Sequence, residues 1–294
     1  MTTAAPPVAS APLVFPRTRA RMAASRIMFG ICWAIVAVAV FLAIFGPLIA
    51  PHNPNYSQLQ FQFVGPFKAK GYPLGFDSQG RDLLSRLMVG ARTSMLGPVL
   101  VMLMSMGAGV VIAVVAAWRG GWVDSAIGTV MDIMFAFPAI LLAVLTSAVF
   151  GAGLIAPTIA LAIAYTPYIA RVLRSAAVRE RARDYISAAE VQGLSTSAIC
   201  FKHLIPNLSN LVVAQGTLVF AWAMVDLASI SFLGLGVQPP TADWGVMVST
   251  GETGVLQGYP LESLSAGLCI VLVVVAVNLL GERMVQNNEE AQGR

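Results

Sequence analysis

Charged residues are scarce in this chain: they make up 11% of its 294 residues, against about a quarter in soluble domains. Hydrophobic residues make up 57%, the mean hydropathy is +0.77, and the apolar residues lie in long blocks. So little charge cannot shield that apolar surface from water. The composition therefore excludes an ordinary soluble enzyme and predicts an integral membrane protein.

Patterns typical of disulfide or metal sites are also missing. Cys32, Cys200 and Cys269 have no paired spacing and lie within or beside apolar stretches, which predicts apolar packing and neither a disulfide nor a metal site. The net charge of +4 could attract nucleic acid, but the basic residues cluster at the ends of apolar blocks. That placement is typical of membrane orientation, so no nucleic-acid partner is predicted.

The apolar blocks predict six transmembrane helices. Residues 1–26 are predicted to be a disordered, basic, cytoplasmic N-terminus, and the run at 27–50 is long enough to be a retained first helix. Residues 51–89 form an extracytoplasmic connection, with a short surface helix of mixed charge predicted from Gly75 to Arg92. The remaining helices are predicted near 95–117, 126–149, 154–173, 210–233 and 263–281.

Arginine and lysine predict the orientation of these helices. With a cytoplasmic N-terminus, most of them fall in the cytoplasmic segments, which are 1–26, 118–125, 174–209 and the tail 282–294. Both termini are therefore predicted to be cytoplasmic. Pro138 interrupts the third helix and Pro167 the fourth, and each is either a structural kink or part of a transport pathway.

The longest cytoplasmic connection reads as a helix–turn–helix. A first helix over Arg183–Gln192 ends at Gly193, which can adopt the left-handed C-cap conformation. Ser195 can cap the next helix, and Pro206 marks its end or a kink into the fifth membrane helix. By themselves these residues also fit an ordinary amphipathic connector.

This stretch resembles the conserved cytoplasmic loop, with its Glu-Ala-Ala motif, of bacterial ABC importer permeases. In that family an Ala-Ala pair, a Gly and a later His/Pro region form the coupling helix that docks in the ATPase. Ser187 stands where the family has its leading Glu. The resemblance assigns ATPase coupling to a set of loop residues, which are Asp184, Tyr185, Ser187, Ala188, Ala189, Gly193, His203 and Pro206.

Three further stretches resemble the C-type subunits of dipeptide and oligopeptide permeases. They are residues 74–94, where Gly-Phe-Asp replaces the usual Gly-Thr-Asp, residues 132–143, and residues 231–245. Their order also agrees with that subfamily. The resemblance implies the all-α type I ABC importer permease fold, with a five-helix core over about 90–281 preceded by one helix.

The resemblance also implies partners. These are a homologous B-type permease, an extracytoplasmic peptide-binding protein, cytoplasmic ATPase subunits and the lipid of a bacterial cytoplasmic membrane. Residues 75–82 have the glycine spacing of a P-loop but lack its Lys and Ser/Thr, so ATP and magnesium are expected on the ATPases and no cofactor on this chain. The chain is expected to be non-catalytic.

Two acidic residues lie within predicted membrane helices and invite a functional reading. Asp132 and Asp226 either pair structurally, the interpretation we favour, or line the pathway and meet a peptide's amino terminus. Phe137 and Pro138 are the other candidate pathway residues. Related permeases leave nickel, glutathione or another small solute as alternative substrates. A membrane enzyme or an ATP-independent, proton-coupled transporter using the two acids is a rival from another class.

Overall fold

The computed structural model describes the backbone of residues 19–292 and the side chains of residues 27–284. Over that range the chain is almost wholly helical, with two isolated β-bridges and no strand. The helices are α1 (Arg19–Ile49), α2 (Leu83–Arg119), α3 (Gly121–Phe135), α4 (Ala139–Phe150), α5 (Ile155–Arg181), α6 (Asp184–Val191), α7 (Thr196–Ile199), α8 (Ile205–Phe232), α9 (Trp244–Thr250), α10 (Glu252–Leu256) and α11 (Leu261–Gln292). A 3₁₀ turn covers Leu59–Phe61, and a π-helical turn, Cys200–Leu204, joins α7 to α8.

Five helices in the described part of the chain are long and apolar enough to cross a membrane: α1, α2, α5, α8 with the turns before it, and α11. Helices α3 and α4 pass the same test only as a pair, which bends by 74° at the break between them. The all-α membrane fold is therefore confirmed, with five spans and a sixth where the bent pair is counted as one. Of the predicted N-terminal segment 1–26, residues 1–18 lie outside the described residues and the rest belongs to α1. The predicted tail 282–294 begins inside α11.

The core lies where α2, α5 and α8 meet. Helix α2 packs most extensively on α5, and α8 packs on both α2 and α11. Val101 of α2, Leu161 and Ile169 of α5, and Val219 of α8 are wholly buried in one apolar cluster. Helix α1 lies outside this core against α2 and α11, as expected for one helix added to a five-helix domain.

Two arginines show which connections share an end of the bundle. Arg86 Nη1 donates to the carbonyl oxygens of Pro54 and Pro240, at 3.1 and 3.2 Å, which joins the connection after α1 to the loop after α8. At the other end Arg181 Nη1 donates to the carbonyl oxygens of Ala117 and Trp118, at 2.8 and 2.6 Å. Successive connections therefore alternate between the two ends.

The predicted surface helix from Gly75 to Arg92 is wrong. Residues 75–82 are turns and extended chain, and α2 begins at Leu83 and runs without interruption into the membrane span. The charges are buried in an ion cluster, in which Asp77 Oδ2 lies 2.7 Å from Arg81 Nε and 3.3 Å from Arg86 Nε. Mixed charge here marks a buried ion cluster and not a solvated helix face.

The two helix-breaking prolines behave differently. Pro138 separates α3 from α4 and begins α4 as its N-cap, which accounts for the bend. Pro167 does not interrupt its helix, because α5 continues from Ile155 to Arg181 and packs on α2 along this length. The Thr166 hydroxyl also donates to the Ala162 carbonyl at 2.7 Å, an added side-chain bond on that turn.

The loop after α8 is fixed to α2 by Asp243 and Trp244. The Asp243 carboxylate caps α9 by accepting from the Gly245 and Val246 N–H groups, and it accepts from Ser94 Oγ at 2.8 Å. Burial nevertheless raises the pKa of Asp243 above its ordinary value. A Cβ at Gly245 would lie 2.6 Å from the Ala228 carbonyl oxygen, so only glycine lets α9 approach α8 this closely.

Candidate functional site

The segment between α5 and α8, which we call the α6–α7 segment (residues 182–204), is a helix–turn–helix. Gly193 ends the first helix with φ +79°, and the N–H groups of Gly193 and Leu194 donate back to the Glu190 and Ala189 carbonyls. Ser195 Oγ accepts from the Ala198 N–H at 3.3 Å and caps α7. Both residues therefore take the backbone roles that the sequence indicated.

The inner face of the α6–α7 segment packs on the end of α2. Ile186, Ala189 and Ile199 are buried together beside Trp118. Arg181, at the end of α5, donates to the last carbonyls of α2 and lies 4.9 Å above the Trp118 ring. The segment is therefore attached directly to the ends of two membrane helices, and displacement of the segment would move both.

The outer face of α6 is exposed and carries Asp184, Ser187, Ala188 and Val191. These positions repeat at three- and four-residue intervals and so share one side of the helix. Val191 exposes 89% of its surface. Of the Ala-Ala pair only Ala188 is on this face, since Ala189 is 7% exposed. The resemblance assigned ATPase coupling to both alanines, and in the structure only Ala188 is exposed to a partner.

Polar contacts hold α6 to the start of α8. Tyr185 donates its hydroxyl hydrogen to Glu180 Oε1, and Asn207 Nδ2 donates to the Tyr185 hydroxyl oxygen at 2.6 Å. Burial and the neighbouring Glu180 carboxylate raise the pKa of Tyr185, so its hydroxyl remains a donor at neutral pH. The His203 ring lies 6.1 Å from the Tyr185 ring in the π-helical turn. Pro206 follows in the first turn of α8, where its missing N–H is tolerated.

Replacing Tyr185 with Phe should loosen α6. The variant removes the bond to Glu180 and the acceptor for Asn207, so local opening should become easier by about 1 kcal/mol. Hydrogen exchange of residues 184–191 measures this directly. Ser187→Ala removes an exposed hydroxyl from the same helix and should not speed exchange. Equal exchange in Tyr185→Phe and the unchanged chain would show that these bonds do not hold α6.

The first candidate pathway group surrounds the break between α3 and α4. Asp132 forms a salt bridge with Arg171 of α5, whose guanidinium lies 4.4 Å from the Phe135 ring centroid. Phe137 is 63% exposed and Pro138 is also exposed. The structure therefore pairs Asp132 with an arginine, as the structural interpretation expected, yet leaves the pair open on the surface of the single chain.

The second candidate acid, Asp226, lies on α8 against α5. Its Oδ2 accepts a hydrogen bond from the Tyr165 hydroxyl at 2.5 Å. Trp222, one turn earlier on α8, contacts the rings of Tyr165 and Tyr168. Sequence reasoning missed these three aromatic residues because they come from two helices about sixty residues apart. The one local signal was the four-residue spacing of Trp222 and Asp226 on α8.

Among the described residues, no group of three or more His, Cys, Asp or Glu side chains could hold a metal ion.

Comparison with known proteins identifies the family of the chain. Residues 109–292, from the last third of α2 to the end of α11, match the family described as binding-protein-dependent transport system inner membrane component. The chain belongs to this family.

Curated relatives of this inner-membrane transport component cover most of its length. A di/tripeptide transport system permease protein of Pseudomonas aeruginosa is 38% identical over 83% of this chain and 81% of the relative. A dipeptide transport system permease protein of Alkalihalophilus pseudofirmus is 34% identical over 84% and 81%. A glutathione transport system permease protein of Pectobacterium atrosepticum is 33% identical over 84% and 80%.

The family match includes the α6–α7 segment and both candidate pathway groups. Membership confirms the permease resemblance drawn from the sequence and establishes a multi-pass membrane component of a transport system. The matched range begins within α2 and excludes α1.

Proposed function

We propose that this chain is the permease subunit of an ATP-driven importer that moves di- and oligopeptides across the bacterial cytoplasmic membrane. A homologous B-type permease would complete the pathway, and an extracytoplasmic binding protein would deliver the peptide. Separate ATPase subunits would bind ATP and magnesium. This chain would itself carry out no chemistry.

The observation that carries the proposal is the architecture of the α6–α7 segment. Its inner face is packed on the end of α2. Its outer face exposes Ala188 and Val191, whose short side chains would let a partner approach the backbone closely. A rigid helix so attached converts a push from an ATPase into movement of α2 and α5. Ser187 lies on the exposed face, so its replacement of the family's Glu changes the surface offered to the ATPase and not the internal packing.

Orientation follows from the same segment. If it meets cytoplasmic ATPases, the joined ends of α2 and α5 are cytoplasmic, and the α1–α2 connection with the loop after α8 is extracytoplasmic. Both termini are then cytoplasmic, in agreement with the arginine distribution. ATP binding would bring the ATPases together, move the α6–α7 segments and open the pathway outward, and hydrolysis would reset it.

Uptake into proteoliposomes tests the proposal. The chain, reconstituted with the products of neighbouring genes, should accumulate labelled di- to hexapeptides only when ATP is present inside. Accumulation should cease when either this chain or the ATPases are omitted. Uptake that persists without ATPases would contradict the proposal and favour a proton-coupled transporter.

Glutathione is a second candidate substrate, because one of the relatives is named for its transport. Glutathione is itself a tripeptide with an unusual γ-linkage, so both substrates offer an ammonium group and carboxylates. Competition by unlabelled glutathione against a labelled dipeptide discriminates between them. Binding-protein-stimulated ATP hydrolysis without peptide uptake would keep the permease function and direct the search to other small solutes.

A further inference from the structure

Helices α5 and α8 bring together four side chains that we call the aromatic–carboxylate cluster: Tyr165, Tyr168, Trp222 and Asp226. The Trp222 ring lies 6.0 Å from the Tyr165 ring and 5.1 Å from the Tyr168 ring, centroid to centroid. Trp222 and Asp226 are four residues apart on α8, and the tyrosines are three apart on α5, so each pair shares a helix face. Three aromatic rings therefore lie together, and one of them, Tyr165, is hydrogen-bonded to the Asp226 carboxylate.

The carboxylate in this cluster has no cation. Among the described residues, Asp226 accepts one hydrogen bond, from the Tyr165 hydroxyl, and forms no salt bridge. It is half-buried in a membrane-spanning helix, where an ionised acid is stable only with a partner. Asp132 differs because Arg171 already neutralises it. Asp226 is thus the intramembrane acid that lacks a cationic partner among the described residues and could bind a cationic ligand.

The cluster is open on one side. Tyr165 is 9% exposed and forms its back, whereas Trp222 is 40% exposed and the neighbouring Val225 is 46% exposed. Asp226 lies six residues before the end of α8, which at about 1.5 Å per residue is about 9 Å from the outer end of that helix. A solute entering from the outer side would therefore reach the cluster within about two turns of the end of α8.

We infer that the aromatic–carboxylate cluster binds a primary ammonium group, the amino terminus of the transported peptide, an inference that rests on the proposed import function. A carboxylate gives such a group a charge-assisted hydrogen bond, and tryptophan and tyrosine faces attract it through their ring quadrupoles. The Tyr165 hydroxyl orients the carboxylate and stabilises its ionised form. The site contacts no other part of the peptide, which suits a transporter that must accept varied side chains.

Trp222 supplies a binding measurement that is independent of transport. The assembled complex in nanodiscs, with and without ATP, is titrated with alanyl-alanine amide, which has an ammonium group and no carboxylate. The Trp222 signal is the fluorescence difference between the unchanged complex and Trp222→Phe. It should change saturably with this probe and not with the N-acetylated probe, and Asp226→Asn should abolish the change. A signal insensitive to the probe in both nucleotide states would overturn the site.

Uptake kinetics provide the second measurement. Asp226→Asn should raise the KM for a dipeptide about tenfold or more, as expected for loss of a charged hydrogen bond, while Asp226→Glu restores most of it. Ser229→Ala, one turn away on α8 with its hydroxyl bonded to its own helix, is the matched control and should leave KM unchanged. The same binding protein is used with every variant, so its peptide selectivity does not contribute to the differences in KM.

The outcomes separate the site from the function. Normal uptake by the unchanged complex with the same KM in Asp226→Asn would overturn the site and leave the import function standing. No uptake by the unchanged complex, together with a saturable Trp222 signal, would overturn the peptide function and retain the ammonium site. Dissociation of the two permeases in Asp226→Asn would overturn the site by showing that a cation of the other subunit occupies it.

Discussion

A Gly193→Pro chain is expected to assemble with its partners but to lose ATP-driven uptake. Gly193 has φ +79°, and proline is restricted to about −65°. Proline also lacks the N–H that donates to the Glu190 carbonyl at 2.9 Å. The turn between α6 and α7 must therefore rearrange, and the exposed face of α6 would no longer keep its orientation relative to the ends of α2 and α5.

The measurement compares peptide uptake with ATP hydrolysis in the same proteoliposomes. Gly193→Asn is the matched control, since asparagine tolerates positive φ and a Cβ at this position meets nothing within 4 Å. We expect uptake to fall by at least about tenfold in the proline variant, equivalent to about 1.4 kcal/mol of lost coupling, while the asparagine variant stays near the unchanged chain. Normal uptake in Gly193→Pro would count heavily against ATPase coupling through the α6–α7 segment.

Local signals explain why the fold and the α6–α7 turn could be predicted. Each membrane helix corresponds to an apolar block in the sequence. The ends of the shorter helices are determined by nearby capping residues such as Gly193 and Ser195. Pro138 could likewise be read as a break because the ring excludes the preceding turn's hydrogen bond. In each case the information lies within a few residues of the structure that it determines.

Predictions failed where distant segments decide the outcome. The charges in residues 75–86 looked solvated, but Asp77 pairs with both Arg81 and Arg86 in a buried cluster. The predicted fourth helix, 154–173, extends to Arg181, because Arg181 is bound to the end of α2. Ala188 and Ala189 looked equivalent until the position of Trp118 showed which one is buried.

The candidate sites show the same division between local and distant information. Asp132 and Asp226 were conspicuous as acids in apolar blocks, but nothing near them in sequence distinguishes their roles. In the structure, Asp132 pairs with Arg171, whereas Asp226 accepts a hydrogen bond from the Tyr165 hydroxyl. Helix α5 thus supplies a cationic partner to the first acid and a neutral hydroxyl partner to the second.

Loss of the Arg86 side chain is expected to destabilise the end of the bundle at which the α1–α2 connection meets the loop after α8. Arg86 is wholly buried, pairs with Asp77 and donates to the Pro54 and Pro240 carbonyls, so three segments of these connections meet on one guanidinium. Arg86→Met fills much of the volume but leaves the carbonyls without this donor and weakens the neutralisation of Asp77. Breaking a buried ion pair by removing one partner costs about 3 kcal/mol or more.

Thermal unfolding of the purified chain and hydrogen exchange over residues 51–82 and 233–243 measure this effect. Arg92→Met, an exposed arginine two turns further along α2, is the matched control and should unfold at the temperature of the unchanged chain. Adding Asp77→Asn to Arg86→Met should lower the unfolding temperature further, because the buried Arg81, which Asp77 binds at 2.7 Å, then loses its carboxylate partner as well. Equal unfolding temperatures for Arg86→Met and Arg92→Met would mean that apolar packing alone holds these segments together. The charges of the ion cluster would then contribute nothing to the stability of the chain.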